Sequence, residues 1–170
     1  MASPLIVNIA ELLRRPGSER NIAIEIKSEV FAFADSRIDD DSDIGVQLHL
    51  ESLQDGIVVR GKISSNWQLA CRRCLRPMAD VAVTEVDELY QRVIVNPDAY
   101  PLEGEQLDLK QMVRELVLLS LPDGPLCQTD CPGFCLECGN DLRTSQCSCQ
   151  KLVGDERWDV LDELKSQLGE

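Results

Sequence analysis

The chain has 170 residues, 44% of them apolar and only 4% aromatic, and a formal net charge of −13. That length accommodates one domain of ordinary size with a small appendage, around an aliphatic core of Val, Ile and Leu. The negative balance opposes a broad grip on nucleic-acid phosphates, which calls for a basic face, and no run of about twenty apolar residues is present to span a membrane. Acidity of this kind keeps a protein in solution and also favours basic partners, and both readings stand.

The first fifteen residues lack the basic start and small-residue cleavage site of a secretion signal, so a cytoplasmic location is expected. Asn8 to Arg15 predicts a short helix, with Asn8 as cap, Glu11 completing a capping box and Pro16-Gly17 as the stop. Period-two alternation then takes over. Ile22, Ile24 and Ile26 alternate with Ala23, Glu25 and Lys27, and Val46, Leu48 and Leu50 alternate with Gln47, His49 and Glu51. Further runs cover Ile57 to Ala70 and Val81 to Val95, with Asp55-Gly56 as a hairpin turn and the aspartates 39, 40, 41 and 43 as a break. This pattern predicts half-buried antiparallel strands.

Asn96 to Gly104 reads as a loop. Asp108 opens the clearest helix, near 108–120, with Gln111 completing a box and Leu107 stapling onto Met112. Its apolar face is Met112, Val113, Leu116 and Val117, with Ser120 in line, and Pro122 and Asp123-Gly124 end it. Leu126 to Cys149 then holds six of the eight cysteines and few aliphatic residues, so it needs a staple other than a core. Asp155 to Leu168 predicts an amphipathic helix through Trp158, Leu161, Leu164 and Leu168. The expected organisation is an α+β domain over 1–125, a cysteine-rich zinc module over 126–152 and a C-terminal amphipathic helix over 153–170. In fold class, an antiparallel, partly rolled β-sheet packs against helices beside a C-terminal zinc-ribbon-like module.

Eight cysteines in a cytoplasmic chain point to metal and away from disulfides. Zinc takes four thiolates in a tetrahedron, and a C-x-x-C turn presents two sulfurs to one ion. Cys135 and Cys138, followed by Gly139, combine with Cys147 and Cys149 into one ribbon-like site by spacing alone. For the rest, two groupings are open. Cys71, Cys74, Cys127 and Cys131 form a second site that clips the cysteine-rich segment to the strand region. Alternatively Cys127, Cys131, Cys135 and Cys138 share an ion and leave Cys71 and Cys74 as a separate pair. The first grouping implies two structural zinc ions.

Nothing in the sequence points to catalysis. His49 is the lone histidine and sits at a solvent-facing alternate position; neither a G-x-S-x-G elbow nor a glycine-rich phosphate loop occurs. Arg72, Arg73 and Arg76 surround the first C-x-x-C pair. They read either as contacts to RNA or a partner, or as compensation for the negative charge of a four-thiolate site. Trp67 and Trp158 are expected as core anchors.

Cys71-Arg72-Arg73-Cys74-Leu75 with Pro77 resembles the C-x-R-C-L motif of the YceD family, the large ribosomal RNA subunit accumulation proteins. The likeness extends through the helix from Leu107 to Leu119, then Leu126-Cys127, Cys131, Gly133, Cys135, Cys138-Gly139, Asn140, Leu142, Cys147 and Cys149, and the tail around Trp158. The opening Leu12-Leu13-Arg14-Arg15-Pro16-Gly17 is similar as well. Phe134 and Leu136 depart from the family's usual Leu before and Pro after Cys135 without changing the sulfur spacing. The resemblance implies a non-enzymatic ribosome biogenesis factor, acting in accumulation or processing of 23S ribosomal RNA and in large-subunit assembly. Its expected partners are the pre-large-subunit particle, ribosomal RNA or a basic ribosomal protein, with neither a membrane nor a small-molecule substrate. A zinc-ribbon adaptor or regulator of transcription is the competing expectation, against which the acidic residues Asp130, Glu137 and Asp141 of the cysteine segment weigh.

Overall fold

The computed structural model describes residues 4–149, 161, 164 and 165. Two compact units divide the chain: Met1–Arg72 with Arg76–Cys127, and Arg73–Leu75 with Gln128–Glu170.

Among the described residues the first unit holds seven strands and one α-helix. They are β1 (Ile6–Asn8), β2 (Glu19–Lys27), β3 (Asp43–Ser52), β4 (Gly56–Ala70), β5 (Pro77–Gln91), β6 (Tyr100–Pro101), β7 (Gln106–Asp108) and α1 (Lys110–Ser120). Strands β2-β3-β4-β5-β6 form a five-stranded sheet in that order, and β1 pairs with β7 in a second, two-stranded sheet. Every pair is antiparallel except β5–β6, so the larger sheet is mixed where a wholly antiparallel one was expected.

The alternation read from the sequence places the core. Ile26 faces Ile44 and Ile24 faces Val46 across β2 and β3, while Val46 faces Ile63 and Leu50 faces Val59 across β3 and β4. Ile44, Val46, Leu50, Ile57 and Val59 have no exposed surface. The opposite face is polar, with Arg60 paired to Asp87 at 3.1 Å and to Glu51 at 3.5 Å. Exposed pairs of this kind stabilise by less than about 1 kcal/mol each and serve mainly to keep the face wet.

Helix α1 lies against β4 and β5, with Met112, Val113 and Val117 fully buried and Leu119 81% exposed, as a one-sided apolar stripe requires. Asp108 accepts the Lys110 N–H at 2.8 Å, but Gln111 donates to Glu115 at 2.9 Å and completes no capping box. Leu107 and Met112 are both fully buried in the core. Beside the helix, Tyr90 stacks on Tyr100 at 5.2 Å and donates its hydroxyl to the Asp108 carbonyl at 3.2 Å. Burial drives the Tyr90 hydroxyl's pKa far above its ordinary value.

Three local expectations need correction. The helix expected over Asn8 to Arg15 is a 3-10 turn over Leu12–Arg14: Asn8 ends β1, its Oδ1 takes the Ala10 N–H at 3.0 Å, and Pro16-Gly17 follows too soon for a second turn. The strand expected to reach Val95 stops at Gln91, and Val93 and Val95 are 76% and 80% exposed. The loop after Asn96 contains β6, held by the Leu102 N–H donating to the Gln91 carbonyl at 2.9 Å. Among the described residues α1 is the one α-helix longer than a turn. Leu161, Leu164 and Lys165 are helical, whereas Trp158 and Leu168 of the expected tail helix lie outside the described residues.

The second unit is built on turns. The Cys135 N–H donates to the Asn140 carbonyl at 2.8 Å, the Gly139 N–H to the Cys135 carbonyl at 2.9 Å, and the Leu142 N–H to the Gly133 carbonyl at 3.0 Å. Phe134 and Asp141 form a single antiparallel bridge. The Asp141 side chain accepts the Arg143 N–H at 3.0 Å and tightens the next turn.

Candidate metal centres

The β4–β5 hairpin delivers the first pair of sulfurs. Cys71 follows β4 directly, and its N–H closes the turn onto the Arg76 carbonyl at 2.8 Å. Leu75 takes a left-handed φ of 53° so that the chain can reverse within this short loop. Cys71 and Cys74 are 0% and 5% exposed. Cys131, also fully buried, sits on a turn in which its N–H reaches the Gln128 carbonyl at 3.0 Å.

The sulfurs of Cys71, Cys74, Cys127 and Cys131 all lie within 4.8 Å of one another, and so do those of Cys135, Cys138, Cys147 and Cys149. Of the two groupings left open by spacing, the structure brings Cys127 and Cys131 to Cys71 and Cys74. None of the eight cysteines is in a disulfide. A thiolate tetrahedron with bonds near 2.3 Å has edges of about 3.8 Å, so small side-chain rotations would bring either set onto one ion. Four soft thiolate donors without a carboxylate, imidazole or open position suit a closed structural site for a zinc-like ion.

Electrostatics at the second cluster favour the thiolate form at one position. The Cys135 thiol is lowered to about 6, first by the backbone N–H groups of Cys138 and Glu137 and then by the Cys147 thiol. The proton burden falls on its neighbours: Cys149 is pushed up to about 12, chiefly through its hydrogen bond with Cys138, and Cys147 is raised by Cys135. A metal ion supplies the positive charge that lets all four sulfurs deprotonate together.

Two glycines shape these turns. Gly139 has φ +72°, which a C-x-x-C-G turn needs and a Cβ would strain, although open space surrounds it. Gly133 has the same φ and also lies against the loop that carries Cys74: a Cβ there would sit 2.8 Å from the Arg73 carbonyl oxygen. That close approach escaped the sequence reading; its trace was a glycine two residues after Cys131.

The three arginines around the first pair are exposed. Arg73 donates through Nη1 to the Cys131 carbonyl at 2.9 Å, and Arg72 lies against Gly124 and donates its backbone N–H to the Pro125 carbonyl at 3.1 Å. Both are therefore tied into the walls of the first cluster. His49 belongs to neither cluster and pairs through Nδ1 with the Asn21 Oδ1 at 2.8 Å on the polar face. Trp67 is partly buried against the core.

The family model described as large ribosomal RNA subunit accumulation protein YceD matches residues 59–165, which takes in β4 from Val59 onward, β5, α1 and all eight cysteines. An uncharacterized protein of Mycobacterium tuberculosis is 31% identical over 96% of this chain and 83% of its own length. One from Mycobacterium leprae is 28% identical over 84% of this chain and 69% of its own. The large ribosomal RNA subunit accumulation protein YCED homolog 1, chloroplastic, of Arabidopsis thaliana is 30% identical over 41% of this chain and 22% of its own length. No solved structure matches. With its cysteine clusters inside the matched span and a relative aligned along nearly its whole length, the chain belongs to the YceD family of large ribosomal RNA subunit accumulation proteins.

Proposed function

We propose that this protein is a non-enzymatic assembly factor for the large ribosomal subunit, acting in the cytoplasm to support accumulation or processing of 23S ribosomal RNA. In this reading two structural zinc ions hold the cysteine-rich segment in shape, and the protein works through protein or ribonucleoprotein contacts. The observation that carries it is the pair of four-sulfur clusters within the span that matches the family model. Closed thiolate sites build surfaces and perform no chemistry of their own. A catalytic zinc would keep three protein ligands and a water, and the donor sets here are four sulfurs each.

The net charge of −13 and the engagement of Arg73 with the Cys131 carbonyl favour a basic protein as the direct partner over naked RNA. The test is affinity purification from growing cells, with gradient fractionation and elemental analysis of the purified chain. The expected result is cofractionation with large-subunit precursors and two zinc ions per chain. A protein found away from ribosomal particles, or metal-free and fully folded, would sink the reading.

A further inference from the structure

The geometry points to the outer edge of β5 as a strand-addition site for an extended, lysine- and arginine-rich segment of a protein partner. This inference rests on the reading above that the direct partner is a basic protein, and it names where that partner sits.

Strand β5 runs fifteen residues along β4, but on its other side, among the described residues, only Tyr90 and Gln91 are in register with a strand, β6. Backbone parity fixes which groups point outward. The Cys71 N–H bonds to the Arg76 carbonyl in the connecting loop, so in an antiparallel ladder the even-numbered residues of β5 exchange hydrogen bonds with β4. Odd-numbered residues then aim N–H and C=O away from the sheet. Two bonds agree with this parity: the Gln91 carbonyl accepts from Leu102 at 2.9 Å, and the Val81 N–H turns to the neighbouring Asp80 Oδ1 at 2.8 Å. Between them the outward N–H and C=O groups of Val83, Glu85 and Asp87, with the Leu89 N–H, meet no other strand among the described residues, whereas the Leu89 carbonyl belongs to the short pairing with β6. An open run of this length is a template for another strand.

The chemistry of the edge selects the occupant. Pro77–Gln91 contains Asp80, Glu85, Asp87 and Glu88 and no lysine or arginine. The Glu85 and Asp87 side chains lean on Lys62 and Arg60 of β4 yet remain 85% and 77% exposed, open to a second cation. Burial, and then the charges of Asp87, Glu115 and Asp98, raise the pKa of the Glu88 carboxyl. Bringing a cation to that crowded end relieves the repulsion. Val81 and Val83, 51% and 59% exposed on the outer face, offer apolar contact between the charges. The far edge of the sheet differs: β2 mixes Glu19 and Glu25 with Arg20 and Lys27, the usual defence against strand addition.

The test uses the full, zinc-loaded chain and an eight-residue peptide alternating lysine and valine, read by residue-resolved amide exchange. With peptide at about ten times its Kd, exchange at Val83, Glu85, Asp87 and Leu89 should slow about tenfold, while the same peptide N-methylated at alternate residues should protect none of them. Val83→Pro should abolish protection at Glu85 and Asp87 yet keep the fold, because that N–H points away from β4. Should the variant fail to fold, the N-methylated peptide still decides the matter. Peptide binding that leaves the four amides unchanged overturns the proposal. So does protection of the same amides by a ribosomal RNA fragment and not by the peptide, or by raising protein concentration alone, which would make the occupant a second copy of this chain. Because the readout is local exchange and not ribosome cofractionation, failure here leaves the assembly reading standing, and failure there leaves this edge standing.

Discussion

The two sulfur clusters are alike in composition and opposite in setting. Cys71, Cys74 and Cys131 are buried and Cys127 is half-buried, whereas Cys138 and Cys149 are exposed and Cys135 and Cys147 half-buried. The first draws on cysteines over fifty residues apart in sequence, the second on a span of fifteen. In the proposed reading, an ion in the buried set would replace a hydrophobic anchor that Leu126 to Cys149 lacks, so its loss should be felt as unfolding. In the exposed set it would organise a local turn, and its loss should be felt as exchange and reactivity. The same four donors would then serve stability in one place and local shape in the other.

The sharpest way to break this contrast is to remove one sulfur from each cluster. Cys71→Ser should take away one zinc of two and destabilise by about 3–5 kcal/mol, lowering Tm by about 10 °C or more, with faster amide exchange around Cys127 and Cys131. Cys138→Ser should also take away one zinc but lower Tm by only a few degrees. Equal Tm losses, or a Cys71→Ser protein that keeps its zinc and its exchange pattern, would end the distinction.

Next come the glycines. Gly133→Ala places a methyl 2.8 Å from the Arg73 carbonyl at φ +72° and should destabilise by about 2–3 kcal/mol, whereas Gly139→Ala, at the same φ with open space around it, should cost about 1 kcal/mol. Thermal melts of both variants read the difference. Arg73→Gln removes the 2.9 Å bond to the Cys131 carbonyl and should cost about 1 kcal/mol, without changing the zinc count.

The smallest effect is a titration. In metal-stripped protein, Cys135 should be alkylated first by iodoacetamide, with a rate that rises through pH about 6, while Cys149 stays unreactive until far higher pH. The folded Cys135 thiol lies below the unfolded value of about 8.5. Its contribution to stability is therefore complete above that value and is lost as pH falls through about 6. Uniform alkylation of all eight thiols with a midpoint near the unfolded value would remove the electrostatic half of the contrast.

The sequence was most readable where one physical rule acted alone. Ile22, Ile24 and Ile26 gave β2 its face because period-two burial needs no knowledge of neighbours. The ribbon set Cys135, Cys138, Cys147 and Cys149 came from spacing, since a local turn fixes its own sulfur distances. Legibility failed where partners were remote. Choosing between two groupings for Cys127 and Cys131 required the distance to the β4–β5 loop, which spacing does not contain. Strands β1 and β7, three residues each, were too short for a pattern and exist because they pair with one another. Val93 to Val95 looked like a strand by composition, but among the described residues no neighbour buries them.

Thiols gathered within 4.8 Å of one another become disulfide partners wherever no metal ion holds them, and the thiolate at Cys135 makes the exposed cluster the first to react with an oxidant. A preparation kept with zinc and reductant should retain eight titratable thiols, whereas one left in air with chelator should lose them in pairs, exposed cluster before buried one. The age and handling of a sample would then be readable from which sulfurs remain.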